Sequence, residues 1–155
     1  MDTTPEPVIL VGVDGSEASK EALAWAADEA RKRAAVVECL ISWTWPTSYG
    51  WTVTLPDDID PAADAQRVLD EALAPVREAY PDLTFRTEVV EGPPAPSLVD
   101  ASAHADLLVV GSRGHGEFAG MLLGSVSAHC TAHAHCSVVV HRLRKARKDD
   151  KRAEP

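Results

Sequence analysis

Two short stretches of this chain carry residue types suited to holding an anion. The first is Gly12-Val13-Asp14-Gly15-Ser16. The second is Gly111-Ser112-Arg113-Gly114-His115-Gly116, which runs on to Gly124-Ser125-Val126-Ser127. Glycine has no Cβ, so backbone N–H groups beside it can come close to a phosphate oxygen. A helix starting near Gly124-Ser125 would add the favourable end of its dipole. Ser125 and Ser127 bring hydroxyl donors, and Arg113 is the only Lys or Arg between Gly111 and Ser127. Asp14 suits a ribose hydroxyl, or a divalent metal carried in by the phosphates. A plainer reading stands beside this one: glycines after a strand also make tight turns, and Ser125 also suits a helix cap.

The elements that must position these residues follow from hydrophobic patterning. Val8 to Val13 is a continuous apolar run, the mark of a strand buried on both faces. After the Asp14-Gly15-Ser16 turn, Ala22, Leu23, Ala26 and Ala30 lie on one helical stripe that ends at Arg31-Lys32-Arg33. Val36 to Trp43 reads as a second strand, and Thr44 to Asp60 as a long loop with Trp45, Tyr49 and Trp51. Asp60-Pro61 then opens a helix whose apolar residues from Ala65 to Val76 keep helical spacing, with Pro75 expected to kink or distort its last turns. Thr84 to Val90 is a third strand, Pro96 to His104 a short helix, and Leu107 to Val110 a fourth strand. A helix from Gly124-Ser125 to His133 and a fifth strand, Ser137 to His141, complete the series. Alternation with crossovers of this length predicts an α/β fold, a doubly wound parallel sheet with helices on both faces. Such sheets bind ligands beyond the carboxyl ends of their strands, where both glycine stretches fall.

At 155 residues the chain suits one domain. Its net charge is −9, unevenly shared: residues 142–155 hold seven Lys/Arg and three Asp/Glu, or +4, which leaves −13 on residues 1–141. An acidic body argues against nucleic acid as the main partner. No apolar run is long enough for a membrane span, and residues 1–7 lack a signal-peptide pattern, so the expected compartment is the cytoplasm. Three scattered cysteines, Cys39, Cys130 and Cys136, fit free thiols in a reducing setting. The expected organisation is a flexible N-terminus over residues 1–7, a domain over 8–142, and a charged, disordered tail over 143–155.

The chain resembles the universal stress protein family, in its ATP-binding branch. The likeness rests on Gly111-x2-Gly114-x9-Gly124-Ser125, on VGVDGSEAS near the start, on ADLLVVGSRGHGEFAGMLLGSVS, and on the closing HAHCSVVVHR. It covers about Val8 to Arg142. The resemblance implies a Rossmann-like, adenine nucleotide alpha hydrolase-like sheet of five parallel strands in the order 3-2-1-4-5, with ATP at the edge of the first and fourth. It implies that Gly111, Gly114, Gly124, Ser125 and Val126 wrap the phosphates, with Ser127 close by, and that Ser112, Arg113, His115 and Gly116 belong to the same loop. Asp14 would meet the ribose, Gly12 would admit the nucleotide close to the backbone, and the backbone at Ser42 would meet adenine. Mg²⁺ is the expected companion of the ATP. A homodimer through the last strand, Ser137 to Arg142, is also implied, although the family often has proline where His135 and Ser137 stand. The expected role is a nucleotide-dependent regulatory module in stress response with unidentified protein partners. The alternatives are a slow Mg-dependent ATPase and a protein-interaction member of the same fold.

Other constellations are weaker. His129, His133 and His135 with Cys130 and Cys136 lack a clean zinc spacing, and no metal site is expected there. Trp43, Trp45 and Trp51 suit either cover for the sheet edge or a lid over a base. No Gly-Lys-Ser/Thr phosphate loop, Ser-Gly-Gly-x-Asp-Ser loop or Gly-x-Ser-x-Gly elbow occurs, and His115 and Glu117 have no evident catalytic partner. No catalytic residue is assigned.

Overall fold

The computed structural model describes residues 5–45, 57–114 and 123–143. Nine elements alternate along them: β1 (Val8–Gly12), α1 (Glu17–Arg33), β2 (Val36–Trp43), α2 (Pro61–Ala79), β3 (Phe85–Glu91), α3 (Pro94–Ser102), β4 (Leu107–Gly111), α4 (Ser125–His133) and β5 (Ser137–His141). The strands form one parallel sheet in the order β3-β2-β1-β4-β5. The fold class and the strand order are those expected.

The apolar runs explain the layering. Side chains alternate across a strand, so a strand apolar at every position feeds two cores. Ile9 and Val11 of β1 join Val37, Cys39 and Ile41 of β2 and Val109 of β4 under α1 and α2. Leu10, Leu40, Leu108 and Val110 point the other way and pack with Leu98 and Cys130 beneath α3 and α4. Leu10, Leu23, Leu69 and Leu108 are at most 1% exposed, and a side chain so buried contributes about 1.5–3 kcal/mol.

Helix α1 meets the sheet through Ala22, Ala26 and Ala30, all wholly buried. Small side chains there let the helix axis lie close to the strands. Ser16 caps it by accepting a hydrogen bond from the Ser19 N–H at 3.2 Å. Its end turns at Ala34, whose φ of 52° is left-handed, and the Ala35 N–H reaches back to the Ala30 carbonyl.

The strand ends shift by one residue from expectation at β1, β3 and β4, and α3 shifts by two at each end. Helix α3 starts at Pro94 rather than Pro96 and ends at Ser102 rather than His104, because proline at the first helical position lacks only an N–H that would have no partner there. Helix α2 continues through Pro75 to Ala79. Pro75 is exposed, so its ring is accommodated on the solvent side. Among the described residues no helix is long and apolar enough to cross a membrane.

Candidate functional site

The chain winds outward from β1 through β2 to β3, then returns across β1 to build β4 and β5 on the other side. The reversal separates the loops that leave β1 and β4, and a cleft opens there. It encloses about 740 Å³ including open solvent.

The β1 loop supplies one wall. Gly12 and Asp14 line the cleft, and Gly15 turns the chain with a φ of 82°. The Asp14 carboxylate is oriented locally: its Oδ1 accepts from the Ser16 N–H at 2.8 Å and from the Ser16 hydroxyl. This side-chain-closed turn leads straight into the α1 cap. The Asp14 N–H in turn donates to Ser19 Oγ at 3.3 Å.

The β4 loop faces it. Gly111, Arg113 and Gly114 line the cleft, and a Cβ on Gly114 would come within 2.7 Å of Asp14 Oδ2. The two loops therefore approach one another where Gly114 has no side chain. His115 and Gly116 lie outside the described residues. The chain re-enters at Gly124, the N-cap of α4. Gly124, Val126 and Ser127 line the cleft, so the first turn of α4 aims its N-terminal pole into the space. From β2, Ser42 lines the same cleft.

Several predicted residues sit differently from what their types suggest. Ser127 is 2% exposed, and its hydroxyl lies 3.1 Å from the Ser112 carbonyl and 3.0 Å from that of Gly124. Its single proton is thus directed at backbone, where it ties the start of α4 to the end of β4. Ser112 is buried and does not line the cleft. Its N–H donates to the His141 carbonyl at 2.8 Å, while its own carbonyl accepts from the Gly124 N–H at 2.6 Å. Ser125 is the first residue of α4 rather than its cap; it is exposed and likewise stands off the lining. Gly111 has a packing reason of its own, because a Cβ there would stand 2.9 Å from the Ala18 carbonyl carbon. Gly12 makes room for Leu98, whose Cδ1 would lie 2.9 Å from an added Cβ.

The floor of the cleft was not foreseen. Leu40, Leu98 and Val110 form it, with Trp43 and Thr44 at the rim. Among the described lining residues only Asp14 and Arg113 carry charge. Trp43 also packs against the core and meets Trp45 edge-on, with ring centroids 5.6 Å apart. Trp45 is half exposed and does not line the cleft, and Trp51 lies outside the described residues.

Burial makes Cys39 and Cys130 poor nucleophiles, while Cys136 is only partly covered. Burial pushes Cys39 up to about 12, Arg77 pulling modestly the other way and Glu38 adding to the rise, and burial pushes Cys130 up to about 11. Cys136 is also raised, chiefly by burial and secondarily by Asp106. All three are free. Among the described residues no three His, Cys, Asp or Glu side chains converge as a metal cluster.

Comparison with known proteins adds independent information. The family model described as "Universal stress protein family" matches residues 7–142. The chain is similar to a universal stress protein of Mycobacterium tuberculosis, 41% identical over 140 residues, which are 86% of this chain and 44% of the relative. It therefore spans less than half the length of the curated relatives it matches. Among solved structures it is similar to a universal stress protein in complex with cAMP, 27% identical with a TM-score of 0.63 over 89% of this chain and 98% of that one. The Archaeoglobus fulgidus universal stress protein in complex with dAMP shares the fold at 21% identity, a TM-score of 0.63, and 88% and 98% coverage. A family match over residues 7–142, on a sheet of this order, shows that the chain belongs to the universal stress protein family.

Proposed function

We propose that the cleft binds ATP, accompanied by Mg²⁺, and that the domain is a nucleotide-dependent regulatory module. One observation carries the reading: the β1 turn, the β4 glycine loop and the N-terminal turn of α4 border one cleft at the winding reversal. Backbone donors and a helix dipole at such a point recognise phosphate. In this reading the phosphates lie along Gly111, Gly114, Gly124 and the start of α4, with Ser125 and the loop through His115 and Gly116 around them. Asp14 meets the ribose and the Ser42 backbone the base. The apolar floor of Leu40, Leu98 and Val110 suits the face of a purine. The adenine nucleotides named with the cAMP and dAMP complexes support the ligand class.

Regulation requires that ATP favour one of two states of the domain or of its partner surface. The reading includes a cytoplasmic homodimer through Ser137 to Arg142. Its support is that β5 ends the sheet, pairs with β4 alone, and keeps Val138, Val139 and Val140 half-buried. The test is a mass spectrum of small molecules released from purified protein, followed by calorimetric titration of ATP with Mg²⁺. ATP released, or bound at one per chain, supports the assignment. The absence of both overturns it, and steady release of phosphate would make the domain a slow ATPase instead.

A further inference from the structure

On the outer surface of α4, away from the cleft lining, His129 and His133 stand four residues apart, both exposed, with ring centroids 4.6 Å apart and planes tilted by 45°. Residues four apart share one helical face, so the pairing is built into the backbone rather than left to chance side-chain positions. The two rings pack against each other, and among the described residues neither imidazole makes a hydrogen bond or an ion pair. Helix α4 reads SVSAHCTAH, with no carboxylate or amine to hold or repel either ring. Imidazole is a preferred ligand of Zn²⁺, Ni²⁺ and Cu²⁺, and two histidines at this helical spacing can grip one ion through one nitrogen each.

We propose that His129 and His133 form a two-histidine clip for one first-row divalent transition metal per chain, with water completing the coordination. The clip is separate from the nucleotide reading, since neither residue lines the cleft. Holding the second imidazole beside the first raises its effective concentration, so the pair binds more tightly than two independent rings. The nearest thiol in sequence, Cys130, is 0% exposed and faces the core, where burial keeps its proton on. A metal bridging residues 129 and 133 also fastens the last turn of the helix and adds stability by mass action.

The experiment titrates ZnCl₂, and separately NiCl₂, into the full chain at pH 7.5 by calorimetry, with a thermal melt in each condition. One ion per chain and a rise in Tm are expected. His129→Ala and His133→Ala should each weaken Zn²⁺ binding by at least about ten-fold and abolish the Tm rise. His135→Ala, just beyond the helix, should leave both unchanged. Circular dichroism and an unshifted metal-free Tm establish that the variants fold; the double substitution His129→Gln/His133→Gln repeats the test if an alanine variant does not. Zn²⁺ binding that survives loss of either histidine overturns the clip, as does half an ion per chain held between two copies.

Discussion

Gly111→Ala tests whether the glycine that ends β4 is required by packing before any ligand is considered. An added Cβ would lie 2.9 Å from the carbonyl carbon of Ala18, 3.0 Å from its Cβ and 3.1 Å from its oxygen. Carbon atoms settle at about 3.5–4.0 Å, so the first turn of α1 would have to retreat by roughly half an ångström. Two of those three atoms are backbone, which no rotamer change relieves. Overpacking of this kind costs about 1–3 kcal/mol, or roughly 2–12 °C in Tm for a chain this long. Gly12→Ala is the matched control. Its Cβ also meets an atom at 2.9 Å, but that atom is Leu98 Cδ1, the end of a side chain rather than backbone, and the change should cost no more than about 1 kcal/mol, the low end of overpacking. Urea unfolding of both variants, with m unchanged, gives the comparison. Adding Ala18→Gly to Gly111→Ala should not restore stability, because the clashing carbonyl remains and glycine in a helix costs about 1 kcal/mol. Equal midpoints for Gly111→Ala and Gly12→Ala would refute the packing argument.

Ser127→Ala removes a buried hydroxyl whose two candidate acceptors keep other donors, the Gly124 N–H on Ser112 and the Ala128 N–H on Gly124. Thermal melts should therefore show a loss of only about 0.5–1.5 kcal/mol, with no extra penalty for an orphaned carbonyl. Gly114→Val places carbon against the Asp14 carboxylate, and calorimetry should record ATP affinity lowered by at least about ten-fold while urea stability falls by less than about 2 kcal/mol. A thiol reagent such as DTNB at pH 8 should label Cys136 first, and Cys39 and Cys130 only on unfolding, giving three thiols per chain in urea. The same burial sets a pH dependence. Cys39 and Cys130 keep their protons in the fold while the unfolded thiols ionise near 9, so stability is full below pH 9 and declines above it, towards about 11 for Cys130 and about 12 for Cys39. A urea midpoint flat from pH 8.5 to 10.5 would contradict this.

The sheet was legible because its strands are apolar at nearly every position, and only a strand covered on both faces tolerates that. Leu107 to Val110, which serves two cores at once, is the clearest case. The start of α3 was less legible, since Gly92-Pro93-Pro94 reads as a turn until Pro94 is seen to suit a first helical position. At the cleft, Gly12, Asp14, Gly111, Gly114 and Gly124 had stood out by type and spacing, and all five line it, while Gly116 lies outside the described residues. Its floor did not stand out. Leu40, Leu98 and Val110 belong to the same buried cluster as Leu10 and Leu108, and nothing in a leucine's sequence neighbourhood says that it also faces a cleft. Ser127 was illegible in another way: a hydroxyl beside a glycine loop signals a donor, and only the distances reveal that it donates to backbone.

That last difference bears on how the site works. The body of this chain is strongly acidic, and the described part of the cleft offers one guanidinium against one carboxylate. Under the proposed reading, recognition of an anion there would draw chiefly on fixed backbone dipoles beside Arg113, and such dipoles are effective only when already aimed and unable to relax. Alignment is what the buried polar groups supply. The Ser112 N–H is tied to β5, its carbonyl takes the Gly124 N–H and the Ser127 hydroxyl, and Gly111 lets α1 press against the strand end. Across the cleft, Ser16 holds the Asp14 carboxylate and caps α1 with the same hydroxyl. The residues that most resemble phosphate ligands by type are in good part those that keep the backbone donors in place, so the serines and glycines of the two loops form one scaffold rather than a set of separate contacts.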